Sequence, residues 1–326
     1  MRTVFLGTSE FAATVLERLA GGPHEPVLVV TRPDRPSGRG RRLTAPPVAA
    51  TAHTLKLPLA QPERVNDEQA RAEIERAAPD VLVVCAFGVL IREPLLSSQE
   101  LLNVHPSLLP RWRGAAPIER AIMAGDDETG VCIMRLTAGL DSGPVALTAR
   151  EPIVADDTYG SLAPRLARLG GELLVRALDD LQRGELGFAE QEEAQATYAE
   201  KIGPADRLLD ATRPAVELER VVRALHPHIG ARLALGDGTA LGVVRARVSE
   251  GRPGEAAGDQ ALAAGGRHEQ LPTGRRGPAV GELADVDGRL LYGTCRGALE
   301  LLEVKPPGGR GMDAGAYLRG HALPPA

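Results

Sequence analysis

The sequence predicts an α/β fold for the larger, N-terminal part of the chain, a parallel sheet flanked by helices, and a smaller β-barrel for the remainder. Three observations carry that reading. Over the first 183 residues apolar runs alternate with stretches of helical period, the rhythm of βαβ units. Residues 184–204 are polar and nearly without period, as in a linker. From residue 205 onward, short alternating runs are separated by Gly-rich turns, a spacing that favours a small β-barrel. The expected division is therefore 1–183, a linker at 184–204, and 205–326.

Residues 3–6 read as the first strand and 11–19 as the helix after it, with Ser9 placed to cap its start and Gly21 just past its end. Residues 27–31 form a second strand and 69–77 a helix, and the continuous apolar run at 81–86 suits a strand buried on both faces. Residues 101–105 read as a further strand and 115–124 as a helix. Two extended segments, 129–136 and 144–153, are joined through 138–143, and a helix from about 158 to 183 closes the region. Beyond it come a helix at 216–224 and extended runs at 231–235, 241–248, 279–284, 289–293 and 299–303. The Gly-, Ala- and Arg-rich stretch 251–277 has too few large apolar residues to bury and is expected as a surface insertion.

A length of 326 residues with 43% hydrophobic and 25% charged side chains fits two globular domains. No apolar run is long enough to span a bilayer, and the N-terminus enters a strand pattern at once, so no membrane association is expected and the cytoplasm is the expected compartment. Cys85, Cys132 and Cys295 lie far apart without a Cys-x-x-Cys pair, and the seven histidines show no paired zinc-ligand spacing. Neither a disulfide framework nor a metal is expected. The net charge of −5 argues against a general nucleic-acid coat. The acidic excess lies in the first 204 residues, with 28 acidic against 22 basic side chains, while 205–326 is nearly balanced at 15 against 16. The C-terminal part is thus the better suited to an anionic partner.

Asn103 and His105 stand two apart at the end of a predicted strand, so both side chains face one side of the sheet while Leu102 and Val104 face the other. Ligand crevices in open α/β sheets lie beyond the carboxyl ends of strands, which places this pair well. Asp141 sits in a Gly-flanked loop that permits close approach to a substrate. Taken singly, a His at a strand end is ordinarily a structural hydrogen-bonder and an Asp between glycines ordinary turn chemistry. The combination over one continuous stretch outweighs that.

Asn103-Val-His-Pro-Ser-Leu-Leu-Pro-Arg-Trp-Arg-Gly-Ala-Ala-Pro-Ile118, followed by Gly125-Asp, Glu128-Thr-Gly-Val and Gly139-Leu-Asp-Ser-Gly143, resembles the signature of the folate-dependent formyltransferases. Gly7-Thr-Ser-Glu-Phe-Ala12 resembles the family's opening turn, the stretch 32–43 its tRNA-facing loop, and Tyr198-Ala-Glu-Lys-Ile202 the entry to its C-terminal domain. The stretches 299–308 and 317–321 are similar to its closing segment. Three features depart from the pattern: Pro106 where some members have Gly, the absence of a tryptophan just after Leu208-Leu-Asp210, and His226-Pro-His-Ile-Gly230 in place of a Trp-containing turn.

The resemblance implies the formyltransferase fold, with a Rossmann-like sheet and an OB-like barrel, and 10-formyltetrahydrofolate as co-substrate. It implies Asn103, His105 and Asp141 as the catalytic centre. Ser107, Leu108, Leu109 and Pro110 would form a wall along the folate, with Phe87, Gly88, Val89, Leu90 and the 137–141 loop around the pterin. In such a transfer a neutral amine attacks the formyl carbonyl. Asn103 would donate to the oxyanion, an effect worth roughly 10²–10³ in rate. His105 would donate to the oxyanion or exchange a proton near neutrality. Asp141 would orient His105 and shuttle the proton, with either of the two carrying it.

The same chemistry serves acceptors such as a glycinamide ribotide or an amino sugar nucleotide. The loop 32–42 carries Arg32, Arg35, Arg39, Arg41 and Arg42 against only Asp34, a composition suited to phosphate contacts, and we expect Arg35, Arg39, Arg41 and Arg42 to bind tRNA. A small nucleotide would not require the extra C-terminal domain. The family reading therefore expects methionyl initiator tRNA as partner, no DNA, and a monomer. A nicotinamide dehydrogenase is disfavoured because Gly7-Thr-Ser-Glu-Phe-Ala12 lacks the Gly-x-Gly-x-x-Gly turn. A tRNA-binding protein without catalysis would have no use for Asn103, His105 and Asp141.

Overall fold

A computed structural model of the chain describes residues 1–37, 42–236, 238–249 and 277–323. Arg39, Arg41 and residues 251–276 of the expected insertion lie outside the described residues. The chain divides into two compact units, one formed by 1–121 and 126–201, the other by 122–125 and 202–326.

The first unit runs β1 (Thr3–Gly7), α1 (Glu10–Leu19), β2 (Pro26–Val30), β3 (Arg35–Ser37), β4 (Arg42–Thr44), α2 (Pro47–Leu55), β5 (Leu59–Ala60), α3 (Glu68–Arg76), β6 (Val81–Cys85), α4 (Leu95–Ser98) and β7 (Glu100–His105). It continues through β8 (Arg113–Gly114), α5 (Pro117–Ala124, of which 122–124 fall in the second unit), β9 (Glu128–Arg135), β10 (Val145–Pro152), α6 (Tyr159–Arg183) and β11 (Tyr198–Ala199). Seven strands form one sheet in the order β10-β9-β7-β6-β1-β2-β5. The five from β7 to β5 are parallel, and β9 and β10 extend the sheet antiparallel. Only an antiparallel pair can be joined by a loop as short as the one between β9 and β10.

The central strands β1 and β6 are buried from end to end, as their nearly continuous apolar sequences require. Ser9 caps α1 by accepting from the Ala12 backbone N–H at 3.3 Å. Strand order reverses at β1, with β2 on one side and β6 on the other. A crevice beyond the carboxyl ends of β1 and β6 is the expected place for a ligand.

Residues 189–199, expected as linker, are built into this unit. Ala189 bridges Val145, and β11 pairs parallel with β8. Their anchoring is by individual hydrogen bonds, which leave no apolar period in the sequence. Among the described residues no helix is long and apolar enough to cross a membrane.

The second unit contains α7 (Ala215–Leu225), β12 (Ala231–Ala234), β13 (Ala240–Ser249), β14 (Leu283–Val286), β15 (Arg289–Gly293), β16 (Ala298–Lys305), β17 (Met312–Asp313) and α8 (Ala314–Gly320). The strands pair antiparallel in the order β12-β13-β16-β15-β14, with β17 on β16. Leu218, Val221, Val222 and Leu225 of α7 cover the sheet's Leu233, Leu241, Leu290, Leu299 and Leu301. The strand expected at 279–284 starts only at Leu283, because Ala279 and Glu282 close a turn on each other.

Glu300 of β16, buried, sits between Arg247 of β13, whose Nε donates at 2.8 Å, and Arg289 of β15. Hydrogen bonds from Arg289 and then Arg247 outweigh burial and hold its carboxyl down to about 2. A pKa lowered by folding stabilises the unit above the ordinary glutamate range, and that stabilisation is lost as pH falls toward 2. Glu300→Gln is expected to cost about 1–3 kcal/mol at neutral pH. In urea unfolding, the gap between wild type and variant should close as pH is lowered through that window.

Candidate active site

A cleft of about 690 Å³ opens at the carboxyl ends of β1, β6 and β7. A Cβ on Gly170 of α6 would lie 3.0 Å from Val104 Cγ1, so Val104 faces the helix. Asn103 and His105, one residue to either side, take the opposite face and line the cleft. Both are buried, and among the described residues the Asn103 carboxamide has no hydrogen-bond partner.

His105 Nε2 donates to the Trp112 carbonyl at 2.9 Å. A carbonyl only accepts, so Nε2 keeps its proton in either ionisation state and Nδ1 is the nitrogen that exchanges one. That nitrogen stands 3.8 Å from Asp141 Oδ2, too far for a hydrogen bond but close enough to feel the charge. The ring is therefore oriented by the Trp112 carbonyl, where the sequence reading assigned that task to Asp141. Asp141 is itself held by the Gly114 N–H, which donates to Oδ2 at 2.9 Å. Gly114 has φ +121°, and a Cβ there would fall 2.7 Å from the Ala199 carbonyl oxygen. Only glycine meets both conditions.

Trp112 is fixed on two sides: its backbone N–H donates to Thr197 Oγ1 at 2.9 Å and its indole N–H to Asp126 at 2.8 Å. Arg111 donates to both Asp126 oxygens and stacks over the indole at 4.4 Å. The acceptor for His105 thus rests on a charged clamp that sequence spacing does not show.

Phe87, Gly88, Val89 and Leu90 line the cleft after β6. Thr8 Oγ1 holds the Phe87 carbonyl and Asn66 the Leu90 carbonyl, at 2.8 and 2.9 Å. The 136–141 loop faces them. Ser107, Leu108, Leu109 and Pro110 are not among the residues that line the cleft, whereas Gly114, Ala115 and Pro117–Glu119 are. Ser107 Oγ donates to the Arg111 carbonyl at 2.6 Å, and the Arg111 N–H to the Leu108 carbonyl at 3.0 Å. That turn folds Leu108 against Gly130 of β9, away from the opening.

Glu119 and Tyr159 complete the cleft, and no motif in the sequence announces them. Burial first, and the nearby Glu119 charge second, push the Tyr159 phenol up to about 12. Arg35 pairs with Glu63 at 2.7 Å on the surface, and Arg42 is exposed on β4. Among the described residues no group of three or more His, Cys, Asp or Glu side chains is placed to hold a metal ion.

A strand-end cleft with an amide donor, an oriented imidazole and a facing carboxylate can stabilise an oxyanion and exchange a proton. Residues 1–178 match the family model for formyl transferase, and 201–322 that for the formyl transferase C-terminal domain. The chain belongs to the formyltransferase family. It is 44% identical over 326 residues to the methionyl-tRNA formyltransferase of Halorhodospira halophila, covering 99% of this chain and 97% of that protein. Against the methionyl-tRNA formyltransferase of Pseudomonas putida strain W619 it is 46% identical over 84% of this chain and 93% of the other. Among solved structures, the methionyl-tRNA formyltransferase from Clostridium thermocellum shares the fold at a TM-score of 0.54 and 12% identity, over 77% of this chain and 95% of that one. HypX from Aquifex aeolicus, in complex with tetrahydrofolic acid, shares it at 0.62 and 17%, over 98% of this chain and 47% of that one.

Proposed function

We infer that the chain moves the formyl group of 10-formyltetrahydrofolate to the amino group of methionyl initiator tRNA, acting in the cytoplasm as a monomer. The observation that carries this reading is the opening of Asn103, His105 Nδ1 and Asp141 onto one strand-end cleft, in a chain whose relatives of 44–46% identity bear that name over most of their length. The volume and the apolar walls from Phe87, Ile91, Leu136 and Leu140, beside the polar Asn103, His105 and Asp141, suit a flat heterocycle.

Asn103 donates its free N–H to the oxyanion as the new C–N bond forms. His105 Nδ1 exchanges the amine's proton, and Asp141 steadies the imidazolium that results. The proton ends on the folate nitrogen as its bond to the formyl carbon breaks. The arginines of the 32–42 stretch and the second domain hold the tRNA.

The test is incubation with the folate donor and either methionyl initiator tRNA, glycinamide ribotide or an amino sugar nucleotide. Formylation of the tRNA alone is expected, and formylation of a small molecule but not the tRNA would overturn the substrate. Replacing Arg39 and Arg42 together by Ala is expected to weaken tRNA binding and reduce its salt dependence by up to about two in slope. An unchanged slope would remove the loop from the interface.

A further inference from the structure

We propose that Gln191 is a positioning residue for the transfer: it fixes the backbone that presents Asp141 to His105. The proposal rests on the role just given to those two residues. Gln191 Nε2 donates to the Asp141 carbonyl at 2.9 Å and to the Gly143 carbonyl at 2.7 Å. Its Oε1 accepts from Arg113 Nε at 3.0 Å. The amide has one workable orientation, because the two carbonyls only accept and the guanidinium only donates. Arg113 is 2% exposed and is held by Glu193 at 2.8 Å and by its own N–H to the Thr197 carbonyl at 2.9 Å. One side chain thereby ties both ends of the 141–143 turn to a buried cation.

The tie matters because Asp141 has φ +45°, a left-handed conformation that costs a non-glycine residue free energy and needs its surroundings to hold it. The Gly114 N–H fixes the carboxylate and Gln191 fixes the carbonyl. Releasing the second leaves the Asp141-to-Nδ1 separation set by one bond. Misplacement of a catalytic group by about 1 Å costs roughly 10²-fold in rate. Among the described residues, the charged side chain in contact with Gln191 is Arg113, itself paired with Glu193, while its chain neighbours Glu190 and Glu192 are exposed.

The experiment measures kcat and KM for both substrates in full-length Gln191→Leu and Gln191→Glu from pH 8 to 5. For Gln191→Leu the expectation is a kcat about tenfold lower or more, with both KM values within about twofold of wild type. Gln191→Glu keeps the Arg113 contact but sets a carboxylate against two carbonyls, and it regains a donor only when protonated. Its activity relative to wild type should rise as pH falls. An unchanged kcat, a loss carried by KM, or a ratio flat with pH would each overturn the proposal. Should the Leu variant fail to fold, the pH ratio of the Glu variant decides alone. Wild-type turnover in Asp141→Asn would instead overturn the reading beneath it.

Discussion

Asp141→Asn is expected to lower kcat by roughly 10²–10⁴-fold, the range for losing a group that supports proton transfer, with little change in stability. Asparagine retains an oxygen to accept from the Gly114 N–H, and it tolerates the left-handed backbone at φ +45° better than any other non-glycine residue. What it removes is the negative charge 3.8 Å from His105 Nδ1. The imidazolium formed during transfer would then lose the counter-charge that faces Nδ1. Initial rates with saturating folate and tRNA, alongside a thermal unfolding curve, separate the two effects. Turnover near wild type would show that the carboxylate's charge is not used.

Gly114→Ala is expected to damage both activity and stability. Its φ of +121° lies where side chains are strained, and its Cβ would meet the Ala199 carbonyl oxygen at 2.7 Å. Strain of this kind costs about 1–3 kcal/mol, and relieving the clash by moving β8 from β11 costs a similar amount. Any such shift carries the N–H that holds Asp141, so a fall in kcat of roughly 10²-fold is expected as well. Chemical denaturation and steady-state kinetics read the two losses. Wild-type values in both would show that the β8–β11 contact gives way without moving the site.

The parallel core was legible because Val81–Cys85 and Thr3–Gly7 are unbroken apolar runs set between helical stretches. Helix α2 escaped that reading: its buried face is Val48, Ala49 and Ala52, too small to raise a periodic signal against the Pro46-Pro47 start. The antiparallel edge escaped it too, since strand direction depends on how connections cross rather than on composition.

At the site, period two was enough to aim Asn103 and His105, and the glycines marked Asp141 as a turn. The hydrogen bonds that orient His105 depend on the positive φ of Trp112 and on Asp126, fourteen residues further on. The Ser107 to Pro110 stretch is expected as a wall from the family resemblance alone. It folds back on itself through Ser107 Oγ, a bond no spacing rule foretells.

The placement of residues 189–199 bears on chimaeras. A relative's second domain joined to this chain at Arg183 would bring its own version of this stretch. The Asp141 turn, Trp112 and Gly114 would then rest on borrowed partners in place of Gln191, Thr197 and Ala199. A junction beyond Lys201 leaves those partners native. Two such hybrids, differing only in whose residues 184–201 they carry, would separate inheritance of the acceptor from inheritance of the catalytic geometry.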